Sequence, residues 1–260
     1  MAHRARKRFG QNFLVDDTYI DRILDAIRPE TGQRIIEIGP GQAALTLPLA
    51  ASGARLQLLE IDRDLAAGLR ARFASTANIS VHEGDALETD FAALTGGQRF
   101  RLVGNLPYNI STPLLFHVLR WSDLIEDMHF MLQKEVVDRI AATPGGKTWG
   151  RLSVMVRYRC AVTPLFDVPP EAFRPAPRIT SSVVRLVPHD EPPVRIPDSA
   201  QFDRIVATAF AQRRKTLRNS LRGLIDAATI EAAGIDPGAR PETLGLEQFA
   251  ALARALGATA

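Results

Sequence analysis

The chain has 260 residues, 46% apolar and 23% charged, which is enough for a large domain with a smaller companion and too apolar for a disordered protein. No apolar run approaches the roughly 18 residues of a membrane span. The single cysteine, Cys160, has no partner for an internal disulfide, which favours a reducing compartment. Phe9-Gly10-Gln11-Asn12-Phe13-Leu14 runs at once into Asp16 and Asp17, too short and polar a stretch for a secretory signal, so a cytoplasmic protein is expected.

From residue 16 to 190, short apolar runs alternate with helical patterns. Ile20, Ile23, Leu24 and Ile27 repeat at helical spacing until Pro29 and Gly32. Arg34–Ile38 reads as a strand running into Gly39-Pro40-Gly41, and Leu45, Leu47, Leu49 and Ala50 as the helix after it. Arg55–Ile61 is a second strand with a helix from Leu65 to Phe73. Ile79–His82, Phe100–Val103 and Met128–Leu132 continue the series, and Leu152–Tyr158 and Ser182–Val187 read as two further strands. Strands separated by helices predict an α/β fold with a Rossmann-like parallel sheet, whose ligand sits at the carboxyl ends of the strands. The last two strands, joined through a Pro-rich segment, suit an antiparallel edge. His189–Pro197 reads as a linker, and 202–224, 230–233 and 246–256 as helices. The expected organisation is a nucleoside-binding domain over 1–190 and a small helical domain over 191–260.

Gly39 and Gly41 stand where the first strand turns toward a helix, where a side chain would block a ligand's approach to the backbone. The helix start is expected to offer free amides to a negative group. Glu60 ends the second strand 21 positions after Gly39, near the ~20 expected of a carboxylate that holds ribose hydroxyls. Nicotinamide and S-adenosylmethionine enzymes share this pattern. Ala44 in place of the third fingerprint glycine, and Asp85 placed to accept from an adenine amine, favour S-adenosylmethionine.

Asn105-Leu106-Pro107-Tyr108 follows the fourth strand directly. The adenine N6 lone pair is delocalised into the ring. Acceptors for both N6 hydrogens, the Asn105 side-chain oxygen and the Leu106 carbonyl, favour a more tetrahedral, nucleophilic nitrogen. Pro107 orients that carbonyl and removes a competing donor, and Tyr108 offers a stacking face worth ~1–3 kcal/mol. A lone tetrapeptide of this kind is more often an Asx turn closed by proline. Its place on the fourth strand, after a nucleoside site on the first three, favours methyl transfer to adenine.

Basic residues cluster at Arg4, Arg6, Lys7 and Arg8, and again at Arg213, Arg214, Lys215, Arg218 and Arg222. Such clusters suit phosphates, though a solvated helix face and a frayed tail have the same composition. The five histidines have no ligand-like spacing to Cys160, so no metal site is expected.

These residues give the chain its resemblance to the KsgA-type ribosomal RNA small-subunit adenine dimethyltransferases, which extends over essentially its whole length. The matching stretches, in order, are FGQNFL (9–14), EIGPG (37–41), LEID (59–62), GDAL (84–87), NLPYNIST (105–112), LQKEVVDRI (132–140), GRLSV (150–154), FRPAPRITSSV (173–183) and QRRKTLRNSL (212–221). The resemblance implies N6,N6-dimethylation of two adjacent adenosines near the 3′ end of 16S ribosomal RNA in an assembling small (30S) subunit, with S-adenosylmethionine as cofactor. It implies that Asn12, Leu14, Gly39, Glu60, Asp85 and Asn105 line the cofactor site, and that Phe173 sandwiches the target base opposite Tyr108. Apart from the family, Phe173 reads as a core aromatic beside a Pro-rich turn. Ala43 departs from the family's usual glycine, and the methyl there is expected to tighten the loop or shift cofactor affinity; Ile179 and Thr180 replace its commoner Val and Asp. With an RNA target in view, Arg214, Arg218 and Arg222 at i, i+4 and i+8 would share one helix face along the backbone. Two rivals remain: the macrolide-resistance enzymes that methylate large-subunit RNA, and an assembly factor that binds RNA without catalysis. A monomer is expected.

Overall fold

In the computed structural model, which describes residues 11–212 and 214–258, the chain forms two compact units. The first comprises residues up to 137 together with 161–188, and the second comprises 138–160 together with 189–260. The contiguous division expected at 190 is therefore redrawn, because 138–160 packs with the C-terminal helices.

The first unit opens with β1 (Phe13–Leu14) and α1 (Asp17–Ile27), whose N-cap Asp16 accepts from the Thr18 amide. Alternation then runs through β2 (Arg34–Ile38), α2 (Thr46–Ala51), β3 (Arg55–Glu60), α3 (Arg63–Arg72), β4 (Ile79–Glu83), α4 (Phe91–Thr95), β5 (Phe100–Asn105), α5 (Ser111–Val118) and β6 (Ile125–Gln133). After α6 (Lys134–Ile140) and α7 (Arg151–Arg159) come β7 (Cys160–Val168), β8 (Phe173–Arg174) and β9 (Ser181–Pro188). The main sheet has seven strands in the order β4-β3-β2-β5-β6-β9-β7. β4 to β6 pair in parallel, and β9 is antiparallel to β6. From β2 the chain builds outward through β3 to β4, then returns to place β5 on the other side of β2. The crevice at the carboxyl ends of β2 and β5 is thus the topological switch point where such sheets bind ligands.

The expected strand over 152–158 is instead the helix α7. Leu152, Val154, Val156 and Tyr158 alternate, but Ser153 between them is also buried. A helix buried around most of its circumference shows no polar face to betray its period. Its start is fixed by Ser153, whose hydroxyl accepts from the Gly150 amide at 3.0 Å and donates to the Arg139 carbonyl at 2.6 Å. The edge strand β7, interrupted by Pro164, was not anticipated; an edge position tolerates a proline.

The second unit packs α7 with α8 (Ser199–Ala211), α9 (Leu217–Ser220), α10 (Ala227–Ala232) and α11 (Leu246–Ala258). Its core includes Trp149, Phe202, Phe249, Leu217 and Leu221, and the Trp149 indole donates to the Leu244 carbonyl at 2.9 Å. The single helix expected over 202–224 is broken. α8 stops at Gln212, Thr216 is extended, and the Leu217 and Arg218 amides donate to the carbonyls of Ala239 and Pro237. Driving Leu217 and Leu221 into the core takes precedence over helix continuity. Arg214, Arg218 and Arg222 therefore do not line one helix face. Only Arg218 lies in α9, although all three, with Lys215, are exposed.

Candidate active site

One cleft gathers nearly every residue singled out in the first unit. Asn12, Leu14, Gly39, Gly41, Glu60, Asp85, Asn105, Leu106, Pro107 and Tyr108 all line it. The cleft opens to solvent, and the space it encloses together with its open mouth is about 990 Å³.

Its floor is the β2 turn. Gly39 and Gly41 have φ of +66° and +55°, in the left-handed region where a Cβ is penalised. A Cβ on Gly41 would lie 3.0 Å from the Phe13 ring. Gly104, unremarked in the sequence, answers a closer approach: a Cβ there would sit 2.6 Å from the Ile38 carbonyl oxygen, so only glycine lets β5 close on the end of β2.

Electrically the cleft is one-sided. Glu37, Glu60 and Asp85 line it, and no lysine or arginine does among the described residues. Both Glu60 oxygens are held by main-chain amides, Gly41 at 3.1 Å and Asp62 at 2.9 Å. Burial nonetheless raises the Glu60 pKa, with these amides opposing the rise. Glu37, fully enclosed, is pushed up to about 7 by burial. The Thr46 hydroxyl at 2.7 Å opposes that shift, and the neighbouring Glu60 charge adds to it. Asp85 accepts from the Leu87 amide through one oxygen at 2.8 Å, and its other oxygen has no described partner.

Two of the loop amides are taken up within the protein. Glu60 takes the Gly41 amide, the Pro40 carbonyl takes that of Ala43, and α2 begins only at Thr46. A pyrophosphate would lie against the Glu37, Glu60 and Asp85 carboxylates with no lysine or arginine to offset them among the described residues. A cationic nucleoside fits: its ribose hydroxyls can donate to the fixed Glu60 oxygens and its amine to Asp85. Its positive charge offsets two buried acids. The donor set suits S-adenosylmethionine and disfavours a nicotinamide dinucleotide.

At the rim, the Asn105 side-chain amide donates to the Asn12 carbonyl at 2.9 Å. A carbonyl only accepts, so this bond fixes which end of the side chain is nitrogen and leaves Oδ1 as an acceptor. The Leu106 amide is used by the Met131 carbonyl, while no described group donates to the Leu106 carbonyl oxygen. Both residues line the cleft, and each keeps an acceptor oxygen with no described donor. Tyr108 is half-buried beside them, and its hydroxyl lies 2.7 Å from Ser181 Oγ.

Phe173 stands apart from the residues that line the cleft. It is fully buried in the core with Leu14, against which it pairs across β1 and β8, and it does not line the cleft. Arg4, Arg6, Lys7, Arg8 and Arg213 lie outside the described residues. Arg214, Lys215, Arg218 and Arg222 belong to the second unit. Sequence reasoning missed Gln11, whose amide donates to Asp62 at 3.2 Å, and Ile61, an exposed apolar side chain on the wall. It also passed over Glu37 as a site residue; a carboxylate inside the apolar run Ile35–Ile38 was the available signal. Cys160 is buried with its thiol pushed up to about 12, so it supplies no nucleophile.

Comparison with known proteins agrees with this geometry. A profile of the family described as ribosomal RNA adenine dimethylase matches residues 2–257. Proteins named ribosomal RNA small subunit methyltransferase A are similar over nearly the whole length. That of Chromohalobacter salexigens is 56% identical over 100% of this chain and 94% of its own. That of Pseudomonas aeruginosa is 57% identical over 98% and 95%. Among solved structures, a dimethyladenosine transferase from Plasmodium falciparum superposes with a TM-score of 0.79 at 25% identity, covering 92% of this chain and 95% of that one. A 23S rRNA methyltransferase, ErmE, superposes with a TM-score of 0.71 at 27% identity, covering 95% and 100%.

Proposed function

The chain belongs to the ribosomal RNA adenine dimethylase family, and on that premise we propose that it dimethylates N6 of two adjacent adenosines near the 3′ end of 16S RNA in an assembling small ribosomal subunit. It is an rRNA adenine dimethyltransferase that uses S-adenosylmethionine. The observation that carries the site assignment is the pinned Asn105: its Nδ2 is held by the Asn12 carbonyl, so Oδ1 and the Leu106 carbonyl remain as paired acceptors at the mouth of a carboxylate-lined cleft.

Glu60 and Asp85 are the residues that would hold the cofactor's ribose hydroxyls and adenine amine, with Gly39 and Gly41 allowing close approach. Bound there, S-adenosylmethionine supplies an electrophilic methyl group. Asn105 and Leu106 orient the target nitrogen by accepting its two hydrogens in the first transfer and the one that remains in the second, and the Tyr108 ring carries the base. No strong general base is needed, because a methylated N6 ammonium is acidic enough to release its proton to water. Holding the nucleophile in line accounts for most of the acceleration.

Arg214, Lys215, Arg218 and Arg222 form an exposed basic stretch suited to an RNA backbone. We place the protein in the cytoplasm, acting as a monomer on the particle. Among the described residues no helix is long and apolar enough to cross a membrane.

The test is methyl transfer from labelled cofactor to undermodified small subunits, beside mature small subunits, undermodified large subunits and an Asn105→Ala control. Label on the undermodified small subunit alone, up to four methyls on two adenosines, is the expected result. The variant should lose at least about 100-fold, comparable to deleting one preorganised hydrogen-bonding group. Label on the large subunit alone would overturn the substrate assignment. No label on any particle, with cofactor binding intact, would make the protein a binding factor on a methyltransferase scaffold.

A further inference from the structure

We propose that Ser181 is a positioning residue for the target base, acting by tethering the far end of the Tyr108 ring. The inference rests on the reading of Tyr108 as the base platform. Tyr108 follows the end of β5, where the chain leaves the sheet, and its ring is half-buried at the cleft. A side chain there turns about χ1 and χ2 unless something holds it. Ser181, fully buried 73 positions away, supplies that restraint through the 2.7 Å contact between hydroxyls.

Ser181 is a rigid anchor. It is the first residue of β9, paired with Gln133 of β6, and the preceding residue, Thr180, accepts from the Lys134 amide at 3.0 Å through its carbonyl. Its hydroxyl has no other described partner. The next residue has a different task, since Ser182 Oγ donates to the Phe166 carbonyl at 3.3 Å and ties β9 to β7. Adjacent serines thus serve separate ends, one locking the sheet edge and one reaching back to the rim. Burial, eased by the serine, raises the Tyr108 pKa, so the phenol stays neutral at working pH and the pair remains a hydrogen bond between two hydroxyls.

The ring plane sets where N6 lies relative to Asn105 and Leu106. An untethered ring still binds the base, but in a spread of orientations of which few are productive. The defect should therefore fall on kcat more than on KM for the particle.

The experiment is a double-mutant cycle in the small-subunit assay with Ser181→Ala, Tyr108→Phe and the double variant, with Tyr108→Ala as reference. Thermal midpoint and directly measured cofactor affinity are followed in each. Losing one neutral hydrogen bond predicts a kcat about 3–10-fold lower in either single variant, with KM within twofold and cofactor affinity unchanged. The double variant should be no worse than the poorer single one, because both changes cut the same bond. Additive losses, a wild-type kcat in Ser181→Ala, or a kcat loss that merely tracks a lowered thermal midpoint would overturn the positioning role, provided that Tyr108→Ala is still crippled. Full activity in Tyr108→Ala would instead overturn the platform reading, and the inference with it.

Discussion

The two ends of the central strands handle buried charge in opposite ways. Toward the amino ends of β5 and β6, Arg101 and Asp127 meet in a bidentate pair at 2.7 and 3.0 Å. Arg185 adds a contact to Asp127 at 3.3 Å, and Arg101 also donates to the Ile27 carbonyl at the end of α1. Toward the carboxyl ends of β2 and β3, Glu37 and Glu60 are buried with hydroxyl and amide donors but no cation among the described residues. The first arrangement is complete within the protein and serves the fold. The second has no cation of its own among the described residues, and on the function proposed above a cationic ligand would balance it.

The sharpest way to break this comparison is to remove one acid from each end. Asp127→Ala strands the Arg101 guanidinium in the interior and should cost about 3–5 kcal/mol of stability in denaturant titrations, while cofactor affinity stays within twofold. An equal loss in cofactor affinity would mean that the two ends are not independent.

A pH series separates the ends by sign. His129 is buried, and burial lowers its pKa to about 4 against the opposing pull of Asp127 and of the Ala26 main chain. The unfolded chain protonates it near 6.5, so between those values the unfolded state holds the extra proton and stability falls as the pH falls. Glu37 is reversed. Its folded pKa of about 7 exceeds the model-peptide 4.5, so the folded state holds the extra proton and stability falls as the pH rises through that window. Each full swing is worth about 3 kcal/mol, and the two oppose each other where they overlap. Glu37→Gln should therefore leave a curve that climbs with pH, and His129→Leu one that descends. Parallel curves for the two variants would refute the assignment.

A smaller effect tests the deficit directly. Glu60→Gln removes a charge that is unfavourable to bury, but it also turns an NH₂ toward one of the two amides, so stability should move by no more than about 1 kcal/mol. Cofactor affinity should fall about 10–100-fold, the worth of hydrogen bonds to a charged acceptor. Calorimetry on the apo protein reads both quantities. A large stability loss with intact affinity would make Glu60 a structural acid like Asp127.

Much of the site was legible because its parts are local. A strand, a glycine turn and an acid at the end of the next strand follow each other in sequence, and the sheet needs only parallel pairing to bring Gly39, Glu60, Asp85 and Asn105 together. What escaped depends on partners far away. The Asn12 carbonyl that orients Asn105 is 93 positions off, and Ser181 is 73 from Tyr108. The two-residue strands β1 and β8, whose pairing sets Phe173 beside Leu14, are likewise too short for any periodicity to reveal. The helix expected to carry Arg214, Arg218 and Arg222 failed for a related reason: the amides at 217 and 218 found carbonyls 22 and 19 positions downstream that local propensity does not register.

The smallest expected effect concerns two of the three left-handed residues at the cleft floor, Ala43 and Gly41. Ala43 has φ of +70°, the conformation for which a glycine is suited, and its methyl is wholly buried in the core cluster. Ala43→Gly relieves about 1–2 kcal/mol of left-handed strain. It gives up about 0.8 kcal/mol of methyl burial, and a further ~0.4–1 kcal/mol goes to the freer unfolded chain. The sum lies near zero, which explains how an alanine persists there. Ala43 does not line the cleft, so cofactor affinity should stay within twofold, against the expectation that this methyl tunes it. Two residues earlier the same change in reverse should behave otherwise. Gly41→Ala incurs the strain and drives a Cβ to 3.0 Å from Phe13, a cleft residue, so calorimetric titration should show weakened cofactor binding. If Ala43→Gly alters affinity as much as Gly41→Ala does, the loop moves as one body and the separation between core-facing and ligand-facing positions fails.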